Sequence, residues 1–189
     1  MIELLTSFIT IFLSEIADKT MLLTLPLSTR IKKTQLIIGI VIASIIVILL
    51  PVVLGEWLHK ILPRASLVLA SGIIFIAVGL FFLFEKEEKE EKEINLKLPD
   101  FLKASLIFFI AEMGDKTQLA TFSLSISQSN LLLVWLGATL GLILPNVIIP
   151  FIGSKISEKL NPKIVKFIAA SVFILIGALT LLEYFGIIE

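Results

Sequence analysis

The chain has 189 residues, 57% apolar and 17% charged, with 16 Lys plus Arg against 16 Asp plus Glu and a mean hydropathy of +1.04. Soluble domains carry roughly 45–50% apolar and about 25% charged residues, so a soluble fold is excluded, and the lack of a basic excess argues against a nucleic-acid partner. There is no cysteine and a single histidine, His59, which removes disulfides, thiolate metal sites, cysteine nucleophiles and a histidine zinc site.

A bilayer span needs about 20 mostly apolar residues. Six stretches qualify: 2–27, 35–58, 65–84, 101–127, 131–153 and 164–185. They are long and do not alternate apolar with polar residues, and lipid admits only helices or closed barrels. Each is therefore expected to be a helix. The first carries Glu3 ahead of its apolar run, lacks a basic start and holds ionisable residues in its second half, so it reads as a retained span rather than a cleaved leader. Those residues form the run Ser14-Glu15-Ile16-Ala17-Asp18-Lys19-Thr20, followed by Met21 and Thr24. The second stretch contains Pro51 and ends near Trp57 and His59. His59 reads as a solvated boundary side chain, with a proton relay as the alternative. After the third stretch, residues 85–93 (EKEEKEEKE) read as a solvated helix laced with i,i+4 ion pairs rather than a metal sensor. Pro99 and Asp100 then open the second half.

The fourth stretch holds Ala111-Glu112-Met113-Gly114-Asp115-Lys116-Thr117, followed by Gln118 and Thr121. In the fifth, Asn146 lies between Pro145 and Pro150, where the backbone ladder must break. Freed carbonyls there could line a path; a kink satisfied by neighbouring helices is the plainer reading. Ser44, Ser71, Thr139 and Ser171 read as packing residues at helix interfaces. With six spans, the connections on one face hold two Lys or Arg and those on the other hold twelve. This bias puts the central 85–100 linker in the cytoplasm and both termini outside, with Trp57, Trp135 and Tyr184 near the outer face.

The two acidic runs lie 97 positions apart, and Gly39/Gly137, Gly55/Gly153, Pro63/Pro162 and Gly79/Gly177 repeat at offsets of 98 or 99. Three spans per half is an odd number, so the halves must enter the membrane from opposite sides. The expected fold is an all-α integral membrane protein of six transmembrane helices in two inverted three-helix repeats, 1–84 and 101–189, joined by the 85–100 linker. Such repeats typically hold a substrate site near the bilayer midplane, with alternating access around it.

Both acidic runs fall mid-span. Each charge at a helix centre costs roughly 2.5–3.5 kcal/mol on insertion scales, so Glu15, Asp18, Lys19, Glu112, Asp115 and Lys116 together cost roughly 15–20 kcal/mol, as much as a domain's whole stability. They must be paired, protonated, hydrated or bound to an ion. Glu15 and Asp18, like Glu112 and Asp115, are i,i+3 and so expected on one helix face. Brought together, the four carboxylates and two lysines carry a net charge that one divalent cation neutralises. Carboxylate oxygens suit Ca²⁺, Mn²⁺ or Mg²⁺ rather than Zn²⁺ or Cu⁺. Gln118 can add a carbonyl oxygen. Its repeat counterpart Met21 reads as packing; as a ligand, its thioether would tilt the site toward Mn²⁺. Thr20, Thr117, Thr24 and Thr121 either offer hydroxyls or bond back to their own helix. Lys19 and Lys116 turn about 100° from the acids and read as charge partners, while small Ala17 and Gly114 allow close helix approach. Crowded carboxylates repel one another and take up protons; a divalent cation displaces those protons. That competition is the physical basis of antiport.

Two copies of Glu-x-Gly-Asp-(Lys/Arg)-(Thr/Ser), one per three-helix half, resemble the signature of the Gdt-type calcium/manganese:proton exchangers, long labelled uncharacterised protein family 0016. The resemblance covers essentially the whole chain; Ala17 departs from the usual Gly. It implies a metal site from Glu15, Asp18, Glu112 and Asp115, and export of Mn²⁺ or Ca²⁺ across the cell membrane in exchange for H⁺. No enzymatic activity and no resident cofactor are expected. The partners are the lipid bilayer and the metal ion; the oligomeric state stays open, a homodimer among the options. Two other classes compete. An intramembrane acid hydrolase lacks its Gly-x-Gly-Asp and Tyr-Asp patterns here. A six-helix exporter of a cationic organic solute, such as a basic amino acid, would use the same acids.

Overall fold

A computed structural model describes residues 1–16, 27, 31–84, 98–152 and 162–187. These form seven helices: α1 (Ile2–Ile16), α2 (Lys33–Ile61), α3 (Arg64–Phe84), α4 (Asp100–Glu112), α5 (Lys116–Ser127), α6 (Leu131–Ile152) and α7 (Pro162–Tyr184). Four of them, α2, α3, α6 and α7, are long and apolar enough to cross a membrane alone. With 29 residues, α2 is about 43 Å long, more than the ~30 Å hydrocarbon core.

One expected helix is not continuous. The stretch 101–127 is broken between Glu112 and Lys116. Gly114 has φ +75°, a left-handed conformation that helical L-residues avoid, and Met113 and Asp115 on either side are extended. Glu112 is the last residue of α4 and Asp115 the N-cap of α5, so in this half the i,i+3 argument for one shared helix face fails. The acids flank a break instead.

The bundle is apolar on its outer surface and in most of its core, and a set of polar and charged side chains is buried within that core. Ile38, Ile45, Leu49, Val53 and Trp57 are exposed along α2, as are Leu132, Leu136 and Leu140 along α6. Such a wide apolar surface calls for lipid rather than water as its solvent. Inside sit Glu15, Ser44, Ser71, Glu112, Lys116, Thr117, Thr139 and Asn146. Charged and hydroxyl groups buried in this way need partners from neighbouring helices, which makes the interior the place to look for function.

Glycines set how closely the helices meet. A Cβ on Gly39 of α2 would lie 2.7 Å from the Phe101 carbonyl of α4; one on Gly137 of α6 would lie 2.3 Å from the Leu4 carbonyl of α1. Gly39/Gly137 and Leu4/Phe101 are repeat counterparts, so the two contacts are one contact made twice. In both pairs the contacts advance in the same direction: Leu4 at Gly137 and Phe8 at Gly141 make α1 and α6 parallel, and Phe101 at Gly39 and Ser125 at Gly55 carry α4 and α5 parallel to α2. By contrast α3 and α7 are antiparallel, with Gly72 against Leu181 and Gly79 against Ile174, and Phe75 packs on Phe173 between them at 5.9 Å.

Candidate metal centre

Helix α1 carries Glu15 in its last described turn, wholly buried. A carboxylate in an apolar interior must find donors, and two of them come from the second half. Thr117 Oγ1 donates to Glu15 Oε1 at 2.5 Å, and Asn146 Nδ2 donates to Oε2 at 3.0 Å. Thr117 opens the first turn of α5 and Asn146 lies in α6, so the first half's acid is held by the second half across 102 and 131 residues. Ser14 Oγ lies 3.4 Å from Thr117 Oγ1, with its own hydrogen bonded to Ile11 O at 2.8 Å.

The second motif is built differently. Glu112 is wholly buried, Asp115 half-buried and Lys116 buried. As N-cap, Asp115 sits at the positive end of α5 without capping it through its side chain. Gln118, three residues on, does the closing: its Oε1 accepts the Gly114 N–H at 3.0 Å, which staples the break. Its Nε2 reaches Val47 O at 3.5 Å. That carbonyl is the one Pro51 leaves without a helical donor, since proline has no N–H. Ser125 Oγ adds a bond to Pro51 O at 3.2 Å. The oxygen expected to face an ion is thus already engaged, and Gln118 ties α5 to the proline of α2. Thr121 bonds back to Thr117 O at 2.8 Å, one of the two readings its spacing allowed.

Of the expected site, the structure joins Glu15, Thr117 and Asn146, and sets Glu112, Asp115, Lys116 and Gln118 around the α4–α5 break. Asp18, Lys19, Thr20, Met21 and Thr24 lie outside the described residues. Among the described residues no three Asp, Glu or His side chains gather closely enough to hold a metal by themselves.

Sequence reasoning missed Ser7 and Thr10, both wholly buried on α1. Their spacing with Ser14, at i, i+3 and i+7, was the available signal: a hydroxyl stripe on an otherwise apolar helix. His59 is not simply solvated. Its Nε2 lies 3.0 Å from Ser125 O, beside an open cleft of about 300 Å³ lined by His59, Arg64, Ser127, Gln128, Ser129 and Leu131.

Comparison with known proteins completes the picture. A family model described as "Divalent cation/proton antiporter GDT1" matches two segments of equal length, residues 3–90 and 100–187. A "Putative manganese exporter" of Vibrio cholerae is 32% identical over 180 residues, covering 92% of this chain and 88% of that protein. "GDT1-like protein 3" of Oryza sativa subsp. indica is 26% identical over 197 residues, covering 90% and 70%. "GDT1-like protein 3" of Arabidopsis thaliana is 23% identical over 198 residues, covering 90% and 67%. No solved structure matches.

Proposed function

This chain belongs to the divalent cation/proton antiporter GDT1 family, a family of membrane transporters rather than enzymes, and we propose that it exports Mn²⁺, with Ca²⁺ as second cargo, from the cytoplasm in exchange for protons. The observation that carries the proposal is Glu15: a carboxylate wholly buried in an apolar bundle, held by one donor from α5 and one from α6. Buried acids of this kind mark ion pathways. The site is formed by Glu15, Asp18, Glu112 and Asp115, with Lys19 and Lys116 balancing charge and Thr117 orienting Glu15. Gln118 serves the site through the α4–α5 break it staples. Oxygen ligands favour Mn²⁺ and Ca²⁺ over softer ions, and the Vibrio relative's name supports Mn²⁺. The family's inorganic cargo weighs against a basic amino acid.

The chain forms six spans in two inverted repeats, 1–84 and 101–189, about the 85–100 linker. The doubled Gly39–Phe101 and Gly137–Leu4 contacts support this, as do two parallel pairings beside one antiparallel pairing. A two-fold axis lying across the helices produces that combination, because it exchanges α1 with α4 and α2 with α6 and reverses α3 onto α7. The excess of Lys and Arg on one set of connections favours a cytoplasmic linker and outer termini in the cell membrane. Protons and cation compete for the same carboxylates, and rocking of one repeat on the other exposes them alternately. An inward proton gradient then drives the cation out.

The test is uptake of Mn²⁺, Ca²⁺, Mg²⁺ and lysine into proteoliposomes with and without a pH gradient. Mn²⁺ uptake with counterflow of protons, lost in Glu15→Gln and Glu112→Gln, is expected. Full uptake by both variants overturns the site; uptake without proton counterflow overturns the exchange.

A further inference from the structure

We propose that Asn146 contributes its side-chain oxygen directly to the transported cation at Glu15, as a neutral ligand supplied by the second half alone. The inference rests on the reading of Glu15 as part of the cation site and extends it to a residue outside both acidic motifs. The orientation of the Asn146 amide is settled by its surroundings. Nδ2 lies 3.0 Å from two acceptors, Glu15 Oε2 and Leu142 O. Turning the amide over would set oxygen against oxygen at both. Oδ1 therefore faces away from these acceptors, and there it is buried with no hydrogen-bond donor among the described residues. Buried polar atoms are almost always partnered, so an orphaned amide oxygen beside a buried carboxylate calls for a functional explanation.

The backbone adds to this. Pro150, four residues on, has no N–H, so the main-chain carbonyl of Asn146 also lacks its helical donor. Asn146 thus carries two oxygens without their usual partners, on a residue whose side chain touches Glu15. The corresponding stretch of α2, Val47-Ile48, is apolar and buried. The two halves are unequal at this level: the first half's acid gains an amide oxygen, and the equivalent stretch of α2 has none to give.

The chemistry indicates what such an oxygen selects. Amide carbonyls are ordinary ligands of Ca²⁺ and suit Mn²⁺, whereas Mg²⁺ demands near-ideal octahedral geometry and retains its waters. A neutral oxygen beside a carboxylate favours an ion that sheds water readily, without adding charge that would hinder release. Asn146 is therefore a specificity-determining residue for Mn²⁺ and Ca²⁺ over Mg²⁺.

The experiment uses the full chain, labelled with ¹³C at the asparagine carboxamide and loaded with Mn²⁺ alone, read by electron–nuclear double resonance. The expected result is a ¹³C coupling to bound Mn²⁺ that disappears in Asn146→Leu, with Mn²⁺ affinity weakened on the order of tenfold, Mg²⁺ affinity unchanged, and Mn²⁺ affinity recovered in Asn146→Asp, which keeps the oxygen. The wild-type spectrum needs no variant to fold. Mn²⁺ bound without ¹³C coupling, or bound equally well by Asn146→Leu, overturns the proposal while leaving the Glu15 site intact. Mn²⁺ binding that survives Glu15→Gln unchanged overturns the underlying site and this inference together.

Discussion

Gly137→Ala tests the architecture that brings Glu15 to its partners. The added Cβ would lie 2.3 Å from the Leu4 carbonyl oxygen and 3.1 Å from two further backbone atoms of Leu4. Ordinary contact begins at 3.4 Å, so α1 and α6 must separate by about 1 Å. The obstacle is main chain, with no flexible side-chain end to swing aside. Overpacking of this kind costs typically 1–3 kcal/mol, and the rigid obstacle argues for the upper half of that range. A melting temperature lower by roughly 4–12 °C follows for a chain of this size. The same separation stretches the 3.0 Å bond between Asn146 and Glu15, which joins the same two helices. Mn²⁺ uptake should fall along with stability. Thermal unfolding in detergent, followed by tryptophan fluorescence, and uptake into proteoliposomes measure the two effects. A Gly137→Ala protein with wild-type melting and wild-type uptake would refute the close parallel packing of α1 on α6.

The mirror substitution, Gly39→Ala, meets Ala104 Cβ at 2.6 Å and Phe101 O at 2.7 Å, and a comparable loss of melting temperature is expected; a neutral effect would break the equivalence of the two contacts. Thr117→Val removes the hydroxyl that bonds Glu15 Oε1, at a cost of about 1.5–3 kcal/mol for a bond to a charged group; Thr117→Ser should restore stability and uptake, and equal behaviour of the two variants counts against the bond. Gly114→Ala places a side chain at φ +75° with no neighbour within 4 Å, so only backbone strain of about 1–2 kcal/mol is expected; a stabilised variant in thermal unfolding would mean the α4–α5 break closes into one helix. Gln118→Leu leaves the Val47 carbonyl and the Gly114 N–H without side-chain partners, and amide hydrogen exchange at Gly114 should quicken; unchanged protection there argues against the staple.

Much of this protein was legible in its sequence because the governing physics is local. Apolar runs of about 20 residues announce helices in lipid whatever they pack against. Charges inside such runs are costly enough to single out Glu15, Glu112 and Lys116 before any coordinates exist, and all three prove buried. What escaped depends on contacts between distant residues. The i,i+3 rule assumes an intact helix, and Gly114 can sit in one or break it; here it adopts φ +75° and separates Glu112 from Asp115. From its own segment Gln118 reads as a ligand, and nothing in that segment points to a second use for it. Its partner, the carbonyl orphaned by Pro51, lies 71 residues away. Asn146 drew notice for the prolines around it, whereas its side chain reaches Glu15 across 131 residues. Local composition decides which groups leave water at so high a cost; only the packing of one half against the other decides which group answers which.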